Sequence, residues 1–309
     1  MNKELKELSN LINYGSMENT YKMSWIRSIV EICEESPKKI INLDDLSPLI
    51  FKYYWNQSIF FNLNQGQNRN FTPTIIQIVE KCITDYQLEF GYKPESFIRV
   101  QKKIKIPTQK ISKVLAQDVC KRFLILDKKV SNFYKYDLQK RKIKISNPRF
   151  LKEYSEVLYH LINYRWTQKL EETDGSPRIS KKIKGVERDK IPKRGNLKLF
   201  HKFLDIENPK KVCFLTGEKI IGTTSVDHII PWSYMYSDDL WNLVYVKPEE
   251  NSSKSNCLPN EDLINKLNLR NKRLLKILIK KEIKSKHLEE LKISIERDYV
   301  KKYWTGFKG

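Results

Sequence analysis

Ser225–Pro259 reads SVDHIIPWSYMYSDDLWNLVYVKPEENSSKSNCLP. Asp227 and His228 are adjacent in an extended run, Thr224 to Ile230, that Pro231 ends. Neighbouring side chains on a strand face opposite sides, so this run presents a carboxylate one way and an imidazole the other. Asn242 lies fifteen residues after Asp227, within Trp241–Val246 (WNLVYV), which reads as a second strand. Asn251 follows nine residues later, in a helix expected over Glu249–Asn256. Ser252 and Ser253 suit that helix's N-terminus, and Lys254 follows them. The segment predicts strand, strand and helix, with its chemistry-bearing residues spread over all three.

The pattern Asp227-His228-Ile229, Pro231, Ser233, then Asn242, then Asn251-x-x-Lys254-Ser255 with Pro259 resembles the HNH (ββα-metal) endonuclease family. It is most similar to the HNH domain of RNA-guided CRISPR effector nucleases. Nothing else in the chain resembles such an effector, so guide dependence is not carried over. The resemblance implies that Asp227 and Asn251 are metal ligands and His228 the general base. It also implies a structural role for Asn242 in the catalytic set, and a place near the phosphate for Lys254.

The residue types suit that chemistry. Hydrolysis of a phosphodiester needs a proton taken from the attacking water, stabilisation of extra negative charge, and shielding of the leaving oxygen. A divalent ion serves the last two needs. Mg²⁺ prefers oxygen ligands and keeps most of its waters, so a carboxylate and an amide suffice; Mn²⁺ is an expected substitute. An imidazole with a pKa near 6.5 is neutral at cellular pH and can accept the proton. Many HNH domains also hold a structural zinc on two C-x-x-C pairs. Here the first pair reads Cys213-Phe214-Leu215-Thr216 and the second falls on Lys247 and Glu250, so no zinc is expected and Cys213 reads as a core residue.

Composition points to a polyanionic partner. The 309 residues include 58 basic and 37 acidic side chains, a net charge of +21. A surface this positive attracts nucleic acid, and double-stranded DNA is the expected substrate. The 40% apolar content supports two domains with cores of their own. No stretch of 18 apolar residues and no targeting segment is visible. The five scattered cysteines, Cys33, Cys82, Cys120, Cys213 and Cys257, argue against a disulfide framework. A cytoplasmic protein without a membrane anchor is expected.

Upstream of the motif, residues 1–173 read as a mainly helical recognition or partner-binding domain. Helical spacing appears over Thr20–Glu34, Leu43–Phe61 and Thr74–Tyr86. Asp44 or Asp45 is a candidate cap for the second, with Pro48 in its first turn. The cluster Tyr53, Tyr54, Trp55, Phe60 and Phe61 could stack nucleic-acid bases, but its helical spacing favours a place in the core. Phe97–Ile106 partly alternates and suggests a basic strand. Phe133–Asp137 and Lys142–Ser146 suggest a small β-hairpin. Asn147 and Pro148 then start a long helix over Arg149–Thr173. Three helices followed by a hairpin resemble a winged-helix arrangement in element order. The basic runs at Lys102–Lys113 and Lys140–Lys144 fit either DNA phosphates or a solvated face.

Residues 174–196 read as a basic linker rich in Gly, Pro and charge. Its Arg178, Lys181, Lys182, Lys184, Lys193 and Arg194 are candidates, with Lys254, for contacts to nucleic-acid phosphates. Residues 197–309 read as the HNH domain followed by one or two charged helices. Asp238 and Asp239, between the two motif strands, fit an approach to the metal or a solvated loop, with the loop favoured, and His160, His201 and His287 read as structural or surface. The expected fold class is α+β: a mainly helical N-terminal domain with a small β-hairpin, then a C-terminal ββα-metal domain with extra helices.

The function implied by the resemblance is Mg²⁺-dependent DNA hydrolysis in restriction or phage defence, by a monomer, a homodimer, or with a defence-system partner protein. A homing or mobile-element nuclease is the alternative enzyme. A nucleic-acid-binding regulator with an inactive site is the alternative outside catalysis, and an RNase would require a ribose 2′-OH.

Overall fold

A computed structural model describes residues 3–66, 71–174, 176–185, 194–254 and 259–308. The chain folds as two units, one of Met1–Asp174 with Ile179–Pro192, the other of Gly175–Arg178 with Lys193–Gly309. The expected linker is therefore divided between them, and Ile179–Gly185 forms a helix of the first unit.

The first unit is built around one central helix. α1 (Lys3–Tyr14) precedes α2 (Tyr21–Glu35), which is buried along nearly its whole first three turns. β1 (Ile40–Asn42) runs directly into α3 (Leu43–Phe61). Asn42, not Asp44 or Asp45, occupies the N-cap of α3; the two aspartates lie in its first turn, where carboxylates favour the helix dipole. Pro48 falls inside the helix. Tyr53, Tyr54, Trp55 and Phe61 are buried and Phe60 half-buried; the three consecutive aromatics point in different directions around the helix, so α3 is enclosed on most sides rather than along one stripe.

α4 (Thr74–Phe90) extends four residues beyond its expected end and is closed by Gly91 in the left-handed conformation. Phe97–Ile106 is not a strand. Phe97 and Val100 are buried three residues apart while Ile98 is exposed, the spacing of a helical turn, and Phe97–Val100 forms the short helix α5. α6 (Thr108–Gln117) and α7 (Val119–Arg122) follow. β2 (Ile125–Leu126) and β3 (Lys129–Val130) pair across a tight turn with positive φ at Asp127 and Lys128.

β4 (Tyr134–Asp137) and β5 (Lys142–Ile145) form an antiparallel hairpin, and β1 adds to the free side of β5 in the order β1-β5-β4. Trp25 on α2 donates to the Tyr134 hydroxyl at 3.1 Å, and that hydroxyl donates to the Cys120 carbonyl at 2.7 Å. The hairpin is thus fixed to both α2 and α7. Asn147 caps α8 (Pro148–Glu153) by accepting from the Phe150 amide. The expected single helix is broken at Tyr154, and α9 (Ser155–Thr173) continues beyond it. α10 (Ile179–Gly185) completes the unit against α9 and α3.

In the second unit, a 3₁₀ turn (Leu197–Phe200) leads into α11 (His201–Glu207). A tight knuckle follows, in which the Gly217 amide donates to Cys213 O at 2.8 Å and Gly217 takes a positive φ of 76°. The Phe214 amide bonds Tyr245 O, so the knuckle packs on the motif's second strand. Cys213 lies in the core. β6 (Ser225–His228) and β7 (Leu243–Val246) pair antiparallel, with Asp227 opposite Val244 and His228 opposite Leu243. Between them lie α12 (Trp232–Met235) and a 3₁₀ turn over Leu240–Asn242. α13 (Pro248–Lys254) packs on β6. Three helices rather than one or two close the chain: α14 (Glu261–Lys280), α15 (Lys286–Glu296) and α16 (Tyr299–Lys308).

β7 is buried at all four positions. Arg270 on α14 enters this core and donates to the carbonyls of Leu240 (3.3 Å) and Leu243, while Asn271 Nδ2 donates to Trp241 O at 2.9 Å. Two polar side chains of a helix thereby satisfy the backbone just before and within β7. Burial pushes the Arg270 pKa down to about 10, so the guanidinium is still charged at neutral pH.

Candidate active site

β6 places Asp227 and His228 side by side and nearly sealed from solvent, at 8% and 2% exposure. Beyond His228 the backbone enters a loop held by Asn242, itself 0% exposed. The Asn242 amide makes two bonds of 2.8 Å with one residue: Oδ1 accepts from the Ile230 N–H and Nδ2 donates to the Ile230 carbonyl. The Ile229 N–H adds a 2.9 Å bond to the Asn242 carbonyl. The side chain thus continues the β6–β7 ladder for one more step, and it fixes the backbone two residues after His228.

The loop returns to the histidine. Tyr236 ends α12 in the left-handed conformation, with φ of 50°, a turn uncommon for a bulky residue. It redirects the chain so that Asp238 Oδ1 lies 2.9 Å from His228 Nε2. Asp238 Oδ2 accepts from the Gly195 N–H at 3.1 Å. A Cβ on Gly195 would lie 2.4 Å from that oxygen, so only glycine admits the carboxylate so close to this backbone. Asp239 is held separately, by Arg178 at 3.4 Å and by Ser237.

Burial works to raise the Asp238 pKa, but the His228 hydrogen bond and charge, the Gly195 N–H and Arg194 outweigh it and leave the group below the usual carboxylate range. Asp238 is therefore an anion at neutral pH. A carboxylate only accepts, so the Nε2–H of His228 is the donor, and Nδ1 is the ring nitrogen that carries the lone pair whenever the imidazole is neutral. Asp238 reads from sequence as a solvated loop residue; the structure makes it the histidine's partner. An aspartate ten residues after the histidine carries no periodic signal.

Asn251 lies on α13, which packs against β6, the strand of Asp227. Lys254 ends α13, and its side chain lies outside the described residues, as does Lys193 entirely. Arg178 donates to Met235 O and Ser237 as well as pairing with Asp239, so it braces the loop. Arg194 lies 5.5 Å from the Trp232 ring centre. Lys181 and Lys184 are exposed on α10 of the other unit. Lys182 departs from expectation: it is 0% exposed, with its ammonium over the Phe61 ring. Its aliphatic stem packs in the core instead of presenting charge to a phosphate.

Asp227 and Asn251 supply oxygen donors from adjoining elements. That set, completed by waters and phosphate oxygens, is of the kind Mg²⁺ accepts. Among the described residues no three His, Cys, Asp or Glu side chains gather around a common metal position. No described helix is long and apolar enough to cross a membrane.

Residues 213–260 match the model of an HNH endonuclease family. The matched stretch runs from the Cys213 knuckle through β6, the His228–Asp238 loop, β7 and α13. Searches of the curated proteins and of the solved structures return no match to the chain. The family match supports a nuclease domain acting on nucleic acid.

Proposed function

We propose that the chain is a Mg²⁺-dependent endonuclease that hydrolyses DNA phosphodiester bonds, with His228 as general base. The observation that carries this reading is the 2.9 Å contact between His228 Nε2 and Asp238, on a strand that also bears Asp227, inside the stretch that matches the HNH model. Nδ1 of His228 accepts a proton from the attacking water. The imidazolium so formed is stabilised by the Asp238 carboxylate through Nε2–H, as an orienting acid stabilises a histidine base elsewhere. Asn242 keeps the backbone after His228 in place while this occurs.

Asp227 and Asn251 would hold the divalent ion, with Mn²⁺ an expected substitute. When bound, that ion supplies stabilisation of the extra negative charge and of the leaving oxygen. Lys254 lies on the same helix as Asn251 and is assigned to the phosphate. The products are a 5′-phosphate and a 3′-hydroxyl. One site cuts one strand, so a monomer nicks, and a homodimer or an added partner protein is needed for paired cuts. Restriction or phage defence is the setting we assign, by analogy with the family that the motif resembles.

The test is cleavage of supercoiled plasmid by the full chain in Mg²⁺ or EDTA, beside His228→Ala. Metal-dependent nicking lost in the variant supports the reading. Equal activity in His228→Ala sinks the mechanism. DNA binding without cleavage in either Mg²⁺ or Mn²⁺ favours the binding-only alternative.

A further inference from the structure

The first unit carries a basic face that the nuclease chemistry does not use. It is assembled by one residue, Arg141, in the turn between β4 and β5. Its Nη1 donates to Ser112 Oγ on α6 at 2.7 Å and lies 3.5 Å from Asp44 Oδ1 on α3. Its carbonyl accepts from the Leu43 N–H, the first residue of α3, at 2.8 Å. Because β1 runs into α3 and pairs with β5, and α6 packs on α3, the hairpin turn and α6 are locked to a common base.

α6 has two distinct sides. Ile111, Ser112 and Leu115 are buried. Gln109, Lys113 and Gln117 are exposed at i, i+4 and i+8, and so form one straight stripe, with Lys110 beside it. The sequence of the helix, TQKISKVLAQ, contains no acidic residue. Glutamine amides match the donor and acceptor of adenine in the major groove, and lysine matches the acceptors of guanine. A bare α-helix also fits the width of that groove, about 12 Å.

The hairpin contributes charge. Lys135 and Lys144 are direct cross-strand partners, both exposed; towards the turn Lys142 lies opposite Asp137, which also pairs with Lys140 at 4.0 Å, so the lysines outnumber the one carboxylate among them. Like charges placed opposite one another destabilise an antiparallel pair. The pair gains a compensating interaction when a polyanion covers it. The order helix (α2), strand (β1), helix (α3), helix (α6), hairpin (β4–β5), with β1 joined to β5 in a β1-β5-β4 sheet, is the connectivity of winged-helix proteins, with α4 and α5 inserted between α3 and α6 and with α7 and the β2–β3 pair inserted between α6 and β4.

We infer that this face docks duplex DNA, with the Gln109–Lys113–Gln117 stripe of α6 entering the major groove and the β4–β5 lysines on the flanking phosphates. The choice of DNA as the partner rests on the nuclease reading above. The face gives the protein a site of sequence readout separate from the residues that cut.

The test uses the full chain carrying His228→Ala, in EDTA, and a labelled duplex of roughly three helical turns. Lys110→Glu with Lys113→Glu on α6, and Lys140→Glu with Lys142→Glu on the hairpin, are each expected to weaken binding about tenfold or more. Each lost phosphate contact lowers the slope of log K against log salt by about 0.9. Lys81→Glu with Lys152→Glu, the same charge change on the exposed faces of α4 and α8, is expected to leave binding within about twofold of the parent. Equal loss in this control, or no loss in the α6 and hairpin variants, overturns the inference. Equal binding of double-stranded RNA through the same residues also overturns it, because the A-form major groove excludes side chains.

Plasmid cleavage by the chain with His228 intact separates the two readings. Binding through α6 with no cleavage in Mg²⁺ or Mn²⁺ leaves the docking face standing and removes the nuclease reading. Cleavage with binding that ignores α6 and the hairpin does the reverse.

Discussion

His228 Nε2 and Asp238 Oδ1 lie 2.9 Å apart, and the other oxygen of the same carboxylate is held 3.1 Å from the Gly195 N–H. The two contacts together fix more than the ring's orientation. The amide can only donate, so Oδ2 must remain an acceptor, and a carboxylate satisfies both neighbours at once.

Asp238→Asn is therefore expected to be as damaging as Asp238→Ala. The Gly195 N–H draws the carboxamide oxygen towards itself and turns the NH₂ group on to Nε2. That stabilises the tautomer with hydrogen on Nδ1, which cannot accept a proton from water. Single-turnover plasmid nicking should fall roughly 100-fold while Mg²⁺ dependence is unchanged. Asparagine activity close to that of the parent would refute the tautomer role.

Gly195→Ala tests the same relationship from the opposite side. The added Cβ would stand 2.4 Å from Asp238 Oδ2, so the carboxylate must swing away and loosen its grip on His228. We expect a drop in nicking rate of roughly tenfold with a stability change of about 1 kcal/mol or less. A drop in thermal stability that accounts for the whole loss of activity would contradict this account.

Asn242→Ala should act on stability first. It strands the Ile230 N–H and carbonyl, both now bonded at 2.8 Å in a fully buried position. Two unsatisfied buried groups cost about 2–6 kcal/mol. Chemical denaturation should show that loss, and Asn242→Asp should not restore it, since a carboxylate cannot donate to the Ile230 carbonyl.

Alkaline pH should unfold the first unit. Burial raises the pKa of Tyr21, Tyr53, Tyr54, Tyr134 and Tyr159 above the ordinary tyrosine value. A phenol whose folded pKa exceeds its unfolded one contributes stability fully below the unfolded value, near 10. As pH rises beyond that, the unfolded chain sheds protons that the folded chain retains. Each of these tyrosines then withdraws about 1.4 kcal/mol of stability per pH unit. Tyrosinate absorbance should rise together with loss of helix above pH 10; gradual ionisation of all tyrosines with the helices intact would show that burial does not hold these phenols protonated.

Much of the local structure was legible in the sequence because it depends on near neighbours. The helical spacing over Tyr21–Glu35 and Leu43–Phe61, the Asn147–Pro148 start, the hairpin of Tyr134–Asp137 with Lys142–Ile145, and strands around Asp227 and Asn242 all follow from periodicity or local capping. Errors came where a short apolar run fits two periods. Phe97–Ile106 alternates well enough to suggest a strand, yet Phe97 and Val100 bury as a helical pair, and the Phe97 N–H is taken by Asn56 Oδ1 at 2.9 Å.

By itself the sequence determined the two paired strands that carry Asp227, His228 and the approach to Asn242, the helix that carries Asn251, and the positive charge that favours nucleic acid. Only the tertiary structure decided which carboxylate faces His228, that Lys182 is buried, and that β1 joins a hairpin about a hundred residues further on. Those outcomes depend on contacts between segments distant in sequence. Side-chain period and capping report only on neighbours within a few residues, so no local pattern encodes the approach of Gly195 to Asp238 or of Arg141 to Ser112.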